Sequence, residues 1–367
     1  MAGPHSPRIL GLVAGEPDTA LSAVPRYLLD ALDRQFEVTG RLDYGFHGAQ
    51  RLAVAAATFR PSRATWRARF NTSRLSQRLL SSNLRRRLQG AAGFELALQV
   101  HGWVEGQPRP YAIYVDQTRL MADRGWPEWM PLTRGERDDL LRREAAMYRE
   151  AAHLFVMGVP ARHSLISDYG IDGDGITVVG GGLSFDSPPA PAELTDEPTI
   201  LFIGRDFERK GGEILLRAFE LVRSELPGAT LQIVGADRRI DQPGVTPHGK
   251  IASREALAEL YRRARVFCLP SLYEPYGLVL IEAMAHGIPC VGTEVQSIPE
   301  ILDQGRAGPL VPPGDPQALA RGLLGLLTDH EEARRYAQIG PRWVRENLTW
   351  DQVAGRMAPA LRSIVES

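Results

Sequence analysis

Cysteine is almost missing from this chain. Two thiols, Cys268 and Cys290, occur in 367 residues. Each sits in an apolar stretch, VFCLP and GIPCVG, which reads as a buried reduced thiol. So few exclude a disulfide framework and disfavour a zinc site. Long hydrophobic runs are missing too. None approaches the ~18 apolar residues that cross a bilayer. The apolar part of the opening MAGPHSPRILGLVAGE is too short for a signal sequence with its cleavage site. The expected compartment is therefore the cytoplasm. Charge of one sign is not in excess, since 43 basic and 44 acidic residues leave a net charge of −1. That balance disfavours a nucleic-acid partner. No internal repeat and no low-complexity tail is found.

What remains is an ordinary globular composition, 44% hydrophobic, long enough for two domains with a full core in each. Short β-rich runs alternate with helical patterns, which implies parallel sheets with crossover helices. RILGLVAG (8–15) reads as a strand and 23–32 as its helix. ELALQVHG (95–102), PYAIYVDQ (110–117) and HLFVMG (153–158) read as further strands, with a charged helix over 134–152. The window Ser187-Pro188-Pro189-Ala190-Pro191, continuing to Pro198, reads as a semi-rigid linker. A second set follows in TILFIG (199–204), LQIVGA (231–236), ARVFCLP (264–270) and GIPCVGT (287–293). Residues 316–367 read as helical. Two doubly wound domains with a hinge between them would bind a ligand at the carboxyl ends of their strands.

The window PSLYEPYGLVLIEAMAHGIPCVGT (270–293) carries the most chemistry. A strand ends at Leu269-Pro270, and a short loop carries Glu274. A helix begins near Tyr276-Gly277 and ends at His286, with Gly287 as its C-cap. Gly277 leaves room for a ligand at the helix N-terminus, where free amides and the dipole favour a phosphate. Glu282 interrupts an otherwise apolar helix, so burying it calls for strong donors such as a pair of ribose hydroxyls. The same spacing also fits one structural, ion-paired glutamate and one exposed loop glutamate.

Two glutamates separated by seven residues within EPYGLVLIEAMAHGIPCV, with Pro270-Ser271 before and Pro299-Glu300-Ile301 after, resemble the hallmark of glycosyltransferase family 4. The resemblance runs through roughly residues 145–350. It implies an α/β GT-B architecture, two doubly wound Rossmann-like domains facing across a cleft. Residues 1–187 would form the N-terminal, acceptor-side domain, joined by a C-terminal helix of about 345–367, and residues 188–344 the donor-binding domain. IGRDFERKGGEILLRAF (203–219) is similar to the family's strand–loop–helix opening that domain. Its Gly204, Arg205 and Lys210 are the candidate diphosphate holders, together with the amides near Gly277 and Leu278. By the same resemblance Glu282 holds the ribose, and Lys250 and Ile251 in PHGKI (247–251) contact the base. Glu274 and His101, at the end of LQVHGW (98–103), orient the sugar. Asp116 is an acceptor-side candidate, with a turn or cap aspartate as the alternative reading. The loop Gly15–Ser22 lacks the glycine pair that many relatives carry.

The family implies transfer of a hexose-type sugar with retention, with no metal and no cofactor beyond the nucleotide-sugar donor. The acceptor is not identified. Asp172-Gly173-Asp174 has the form of a metal motif, but in a glycine-rich turn it reads as turn geometry. The competing readings are a GT-B epimerase or phosphorylase, and a silent GT-B subunit. Finally, residues 60–87 hold nine arginines and no acidic residue, with Trp66, Phe70, Leu79, Leu80 and Leu84 interleaved. The segment reads as a helix with a core face and a solvated basic face. The alternative is a surface that meets anionic lipid, which would make the protein peripheral at the inner membrane face, or a phosphorylated acceptor.

Overall fold

The computed structural model describes residues 6–14, 23–185, 189 and 193–366. The loop Gly15–Ser22 and most of the proline-rich window at 187–191 lie outside them. The chain forms two compact units, Met1–Gly180 with Trp350–Ser367, and Gly181–Thr349.

Six parallel strands build the sheet of the first unit: β1 (Arg8–Val13), β2 (Glu37–Asp43), β3 (Leu96–Val100), β4 (Tyr111–Val115), β5 (His153–Val156) and β6 (Ile176–Val178), in the order β2-β1-β3-β4-β5-β6. Every residue of β3 and β4 is buried. Helices covering both faces of a parallel sheet make such strands read as continuous apolar runs; YAIYV does, and LALQV departs from it only at the buried Gln99. β2 was not foreseen. It is an edge strand of sequence EVTGRLD, largely part-exposed, so it carries no apolar signal. The last helix, Trp350–Glu366, returns to this unit and buries Trp350, Val353, Met357 and Leu361.

The second unit has six parallel strands as well: β7 (Thr199–Ile203), β8 (Thr230–Val234), β9 (Val245–Gly249), β10 (Val266–Leu269), β11 (Cys290–Thr293) and β12 (Leu310–Val311), ordered β12-β11-β10-β7-β8-β9. The chain winds outward from β7 through β8 to β9, then returns to the other side of β7 for β10. The carboxyl ends of β7 and β10 therefore flank a topological switch point, the position where open α/β sheets place ligands. Cys268 and Cys290 are free and fully buried in β10 and β11.

The basic segment is two helices rather than one, Arg63–Thr72 and Arg74–Leu88. Ser73 breaks them, its side chain capping the second. Leu80 and Leu84 enter the core of the first unit. The Trp66 indole donates to the Ala55 carbonyl at 2.8 Å, and Phe70 packs edge-to-face on Phe46. Both aromatic side chains are thus engaged within the unit. Among the described residues no helix is long and apolar enough to cross a membrane.

Candidate functional site

The loop after β7 is built around glycines that admit close approach. The Gly204 amide donates to Val234 at the end of β8 (2.9 Å). Gly211 adopts a left-handed conformation at φ +74°, and a Cβ there would lie 1.8 Å from the Pro270 carbonyl oxygen after β10. Only glycine allows the two switch-point loops to touch here. Gly211 also precedes the helix Gly212–Glu225, whose N-terminus has no side-chain cap.

Three cations stand on this loop. Lys210 Nζ lies 3.0 Å from Glu274 Oε2. Arg209 reaches the same oxygen at 3.4 Å and donates to the Tyr273 carbonyl at 2.5 Å. The Leu272 amide returns a bond to the Arg209 carbonyl at 2.8 Å, so Arg209 sews the β7 loop to the β10 loop. Arg205 is exposed and has no ion pair among the described residues. Glu274 is buried and also accepts from Ser271 Oγ at 3.4 Å. Ser271 is in turn held through its carbonyl by Thr293 Oγ1 at the end of β11 (2.7 Å). Sequence reading missed Arg209. The signal was present, a second cation directly before Lys210, but its partner lies 65 residues away.

Eight residues form the helix that follows the β10 loop, Leu278–Ala285, with Gly277 at φ +114° as its uncapped N-terminal residue and Gly287 at φ +80° just past its end. Leu278 is partly buried at the first helical position. Glu282 lies one turn in. Burial pushes its carboxyl up to about 7, opposed by a hydrogen bond from Tyr261 and by the charges of Arg254 and Lys210. The Tyr261 hydroxyl donates to Glu282 Oε2 at 3.2 Å. Its ring stacks on His286 at 4.6 Å. Burial, aided by Arg262, lowers His286 to about 4, so that imidazole is neutral at pH 7. Nothing in the spacing of residues 270–293 pointed to Tyr261. The base-side candidates Lys250 and Ile251 follow β9, where the Gly235 amide donates to the Gly249 carbonyl at 2.6 Å. Lys250 is exposed and Ile251 partly so. Because every strand is parallel, Gly204, Arg205, Lys210, Lys250, Glu274, Gly277 and Glu282 all belong to the carboxyl edge of this sheet or to the helices opening from it.

In the first unit His101 directly follows β3. It holds a left-handed φ of +50°, rare for a residue with a side chain. Its amide donates to the Tyr114 carbonyl (3.0 Å) and its Nδ1 lies 3.8 Å from Asp116 Oδ1. The two candidates drawn separately from the sequence thus face each other across the ends of β3 and β4. They line a cavity of roughly 190 Å³ with Thr118, Arg119, Trp129 and Glu144. Glu144 is buried and fully engaged, accepting from the Arg119 amide at 3.2 Å, from Tyr148 at 3.0 Å and from Tyr169. Burial raises its carboxyl pKa. Asp172 accepts from the Asp174 amide at 3.1 Å and opens a single 3-10 turn, the turn role its setting suggested. Among the described residues no group of three or more His, Cys, Asp or Glu side chains is arranged to hold a metal ion.

Comparison with known proteins concentrates on the second unit. The family model described as "Glycosyl transferases group 1" matches residues 197–329. A phosphatidyl-myo-inositol mannosyltransferase of Mycobacterium leprae is 33% identical over 199 residues, covering 51% of this chain and 53% of that protein. A D-inositol 3-phosphate glycosyltransferase of Xylanimonas cellulosilytica is 32% identical over 219 residues, covering 53% of this chain and 52% of the other. The chain thus spans about half the length of the curated relatives it matches. Solved structures extend the likeness to the fold as a whole. A sucrose-phosphate synthase from Thermosynechococcus elongatus superposes with a TM-score of 0.70 at 20% identity, covering 97% of this chain and 98% of that one. The Anabaena protein HepE, solved in complex with UDP, gives 0.66 at 18% identity over 97% and 100% of the two chains. The architecture is GT-B, with two Rossmann-like units.

Proposed function

We propose that this chain, whose residues 197–329 match the group 1 glycosyltransferase family model, moves a hexose-type sugar from a nucleoside-diphosphate sugar onto an acceptor hydroxyl. The reaction proceeds with retention and without a bound metal. The second unit is the donor side and the first unit the acceptor side. One observation carries the reading: the loop after β7 presents Arg205, exposed and without an ion pair among the described residues, and Lys210, which faces the Glu274 that follows β10, while Arg209 ties the two loops together. The cations Arg205 and Lys210 and the uncapped helix at Gly277 suit a diphosphate. They neutralise it in the ground state and stabilise the charge that grows as it leaves.

The chemistry follows from that placement. The bond between the anomeric carbon and the diphosphate oxygen breaks, and the oxygen keeps the electron pair. The acceptor hydroxyl bonds to the same face of the anomeric carbon and hands its proton to the departing diphosphate. The protein's work is positioning and charge stabilisation. Lys210 is shared between Glu274 and the diphosphate. Arg209 fixes the loop that presents both, and Glu282 takes the ribose hydroxyls. Glu274 and His101 orient the sugar, and Lys250 and Ile251 contact the base. HepE was solved with UDP, which makes UDP the first nucleotide to try.

Calorimetric titration with nucleoside diphosphates tests the assignment. Lys210→Ala and Arg205→Ala should each weaken binding by roughly tenfold to a hundredfold, the range of a lost charge-assisted hydrogen bond of about 1.5–3 kcal/mol. Turnover should survive excess chelator. Unchanged affinity in both variants overturns the donor site, and activity abolished by chelator and restored by magnesium overturns metal independence.

A further inference from the structure

A second cavity of the first unit, roughly 140 Å³, is lined by Gly45, His47, Gln50, Asn83, Arg86 and Arg87. It lies at the carboxyl end of β2, apart from the cavity beside His101. Its base is rigid. Asn83 is buried and donates to the Gly45 carbonyl at 3.2 Å and to Gln50 Oε1 at 2.9 Å, and its own Oδ1 accepts from Gln50 at 3.1 Å. The loop after β2 and two helices are thereby clamped around one hollow.

The charge in that hollow is positive. Arg86 and Arg87 are exposed, and neither has an ion pair among the described residues. Arg69 and Arg74 of the same basic segment are paired, with Glu136 and Asp139. Opposite stands His47, which precedes the helix Gly48–Ala57. That helix has no side-chain cap and no acidic residue in its first turn. Asp43 is the nearby carboxylate. It accepts from the Gly45 amide at 2.7 Å and lies 2.6 Å from His47 Nε2, so its oxygens are engaged in the wall. Arginines in the last turn of a helix are ordinarily favoured by its dipole and solvated. That accounts for their place in the sequence. It does not account for their meeting an imidazole and an uncapped helix start around a cavity with a buried polar base.

We infer that this cavity binds a phosphate group, the phosphomonoester or phosphodiester carried by the acceptor. The inference rests on the proposed transfer reaction and names the acceptor class for it. Guanidinium groups bind phosphate oxygens in paired hydrogen bonds, and free amides at a helix start add to them. β2 and β3 flank β1 in a parallel sheet, so the cavity and His101 lie toward one edge, at the ends of strands two spacings or about 10 Å apart. A small phosphorylated polyol and a phospholipid headgroup both span that distance.

Titration of the full chain with inorganic phosphate and with glycerol phosphate, at fixed ionic strength, tests the site. The variant Arg86→Gln/Arg87→Gln is compared with Arg78→Gln/Arg85→Gln, which removes the same charge from the same segment away from the cavity. The cavity pair should lose tenfold or more in affinity, the control pair less than twofold, and nucleoside-diphosphate affinity should be unchanged in both. Equal losses in the two variants, or none, overturn the proposal. Flotation with phosphatidylglycerol vesicles separates the sources. Attachment lost only in the cavity pair identifies a lipid headgroup. Phosphate binding without attachment identifies a soluble phosphorylated acceptor, and attachment lost equally in both pairs is bulk charge and counts against the site. Absence of nucleotide binding beside cavity-dependent phosphate binding would sink the transferase reading and leave the phosphate site standing.

Discussion

Glu282 sits where a small change of surroundings decides its charge. Burial raises its carboxyl to about 7, against the hydrogen bond from Tyr261 and the positive charges of Arg254 and Lys210. A raised carboxyl stabilises the fold while it is protonated. Its contribution is complete below the unfolded value of about 4.5 and is lost as pH rises through 7. Ribose hydroxyls donating to the carboxylate act in the opposite direction, favouring the charged form. Donor binding should therefore pull this proton off, and affinity for a nucleoside diphosphate should rise between pH 6 and 8. The diphosphate's own ionisation contributes a slope shared by all variants, so the informative quantity is the difference between wild type and Glu282→Gln. Calorimetry should find the wild-type gain up to about tenfold larger, one pKa unit being worth about 1.36 kcal/mol. Parallel slopes would remove the ribose role. At this scale the sequence was legible in part. The pair Glu274 and Glu282 stood out through the resemblance of one continuous window to a family hallmark, their spacing alone leaving a structural reading open. Arg209 and Tyr261 did not, because their value lies in contacts to those glutamates across 65 and 21 residues of chain.

At the scale of elements, legibility followed burial. Strands covered on both faces, such as β3, β4 and β10, announce themselves as apolar runs. The edge strands β2 and β9, EVTGRLD and VTPHG, are largely part-exposed or exposed and look like loops. The break at Ser73 within the basic segment was also hidden, since arginine and leucine spacing continues across it. What positions the candidate site is the contact between two loops, and Gly211 controls it. Alanine there meets a left-handed φ of +74° and a carbonyl oxygen 1.8 Å from its Cβ. The conformation alone costs about 1–2 kcal/mol. The clash with backbone has to be relieved by moving Pro270, which should bring the loss to about 3 kcal/mol or more. Denaturant unfolding should find that loss for Gly211→Ala, with weakened nucleotide binding in the folded protein. Gly228→Ala, with open space around its Cβ, is the control. A loss below about 1 kcal/mol at Gly211 would mean that the two loops are not locked together.

Across the whole molecule, both sheets are parallel but differ in strand order, β2-β1-β3-β4-β5-β6 against β9-β8-β7-β10-β11-β12, and the chain leaves the first unit at Gly180 and returns to it at Trp350. That return makes the last helix a structural part of a unit begun more than three hundred residues earlier. Its residues Val353, Met357 and Leu361 are fully buried, each worth about 1.5–3 kcal/mol on transfer from water, or about 5–9 kcal/mol together. A domain is stable by only about 5–15 kcal/mol, so the first unit should not survive loss of this helix. The second unit, Gly181–Thr349, contains all of its own strands and should. A chain ending at Thr349 is therefore expected to lose hydrogen-exchange protection throughout β1 to β6 while β7 to β12 stay protected. Nucleoside-diphosphate affinity should stay within a few-fold of the full chain, because every donor-side residue named above except His101 belongs to the second unit. Loss of protection in both sheets together would mean that the two units unfold as one, and loss of nucleotide binding with β7 to β12 intact would mean that the first unit supplies part of the donor site.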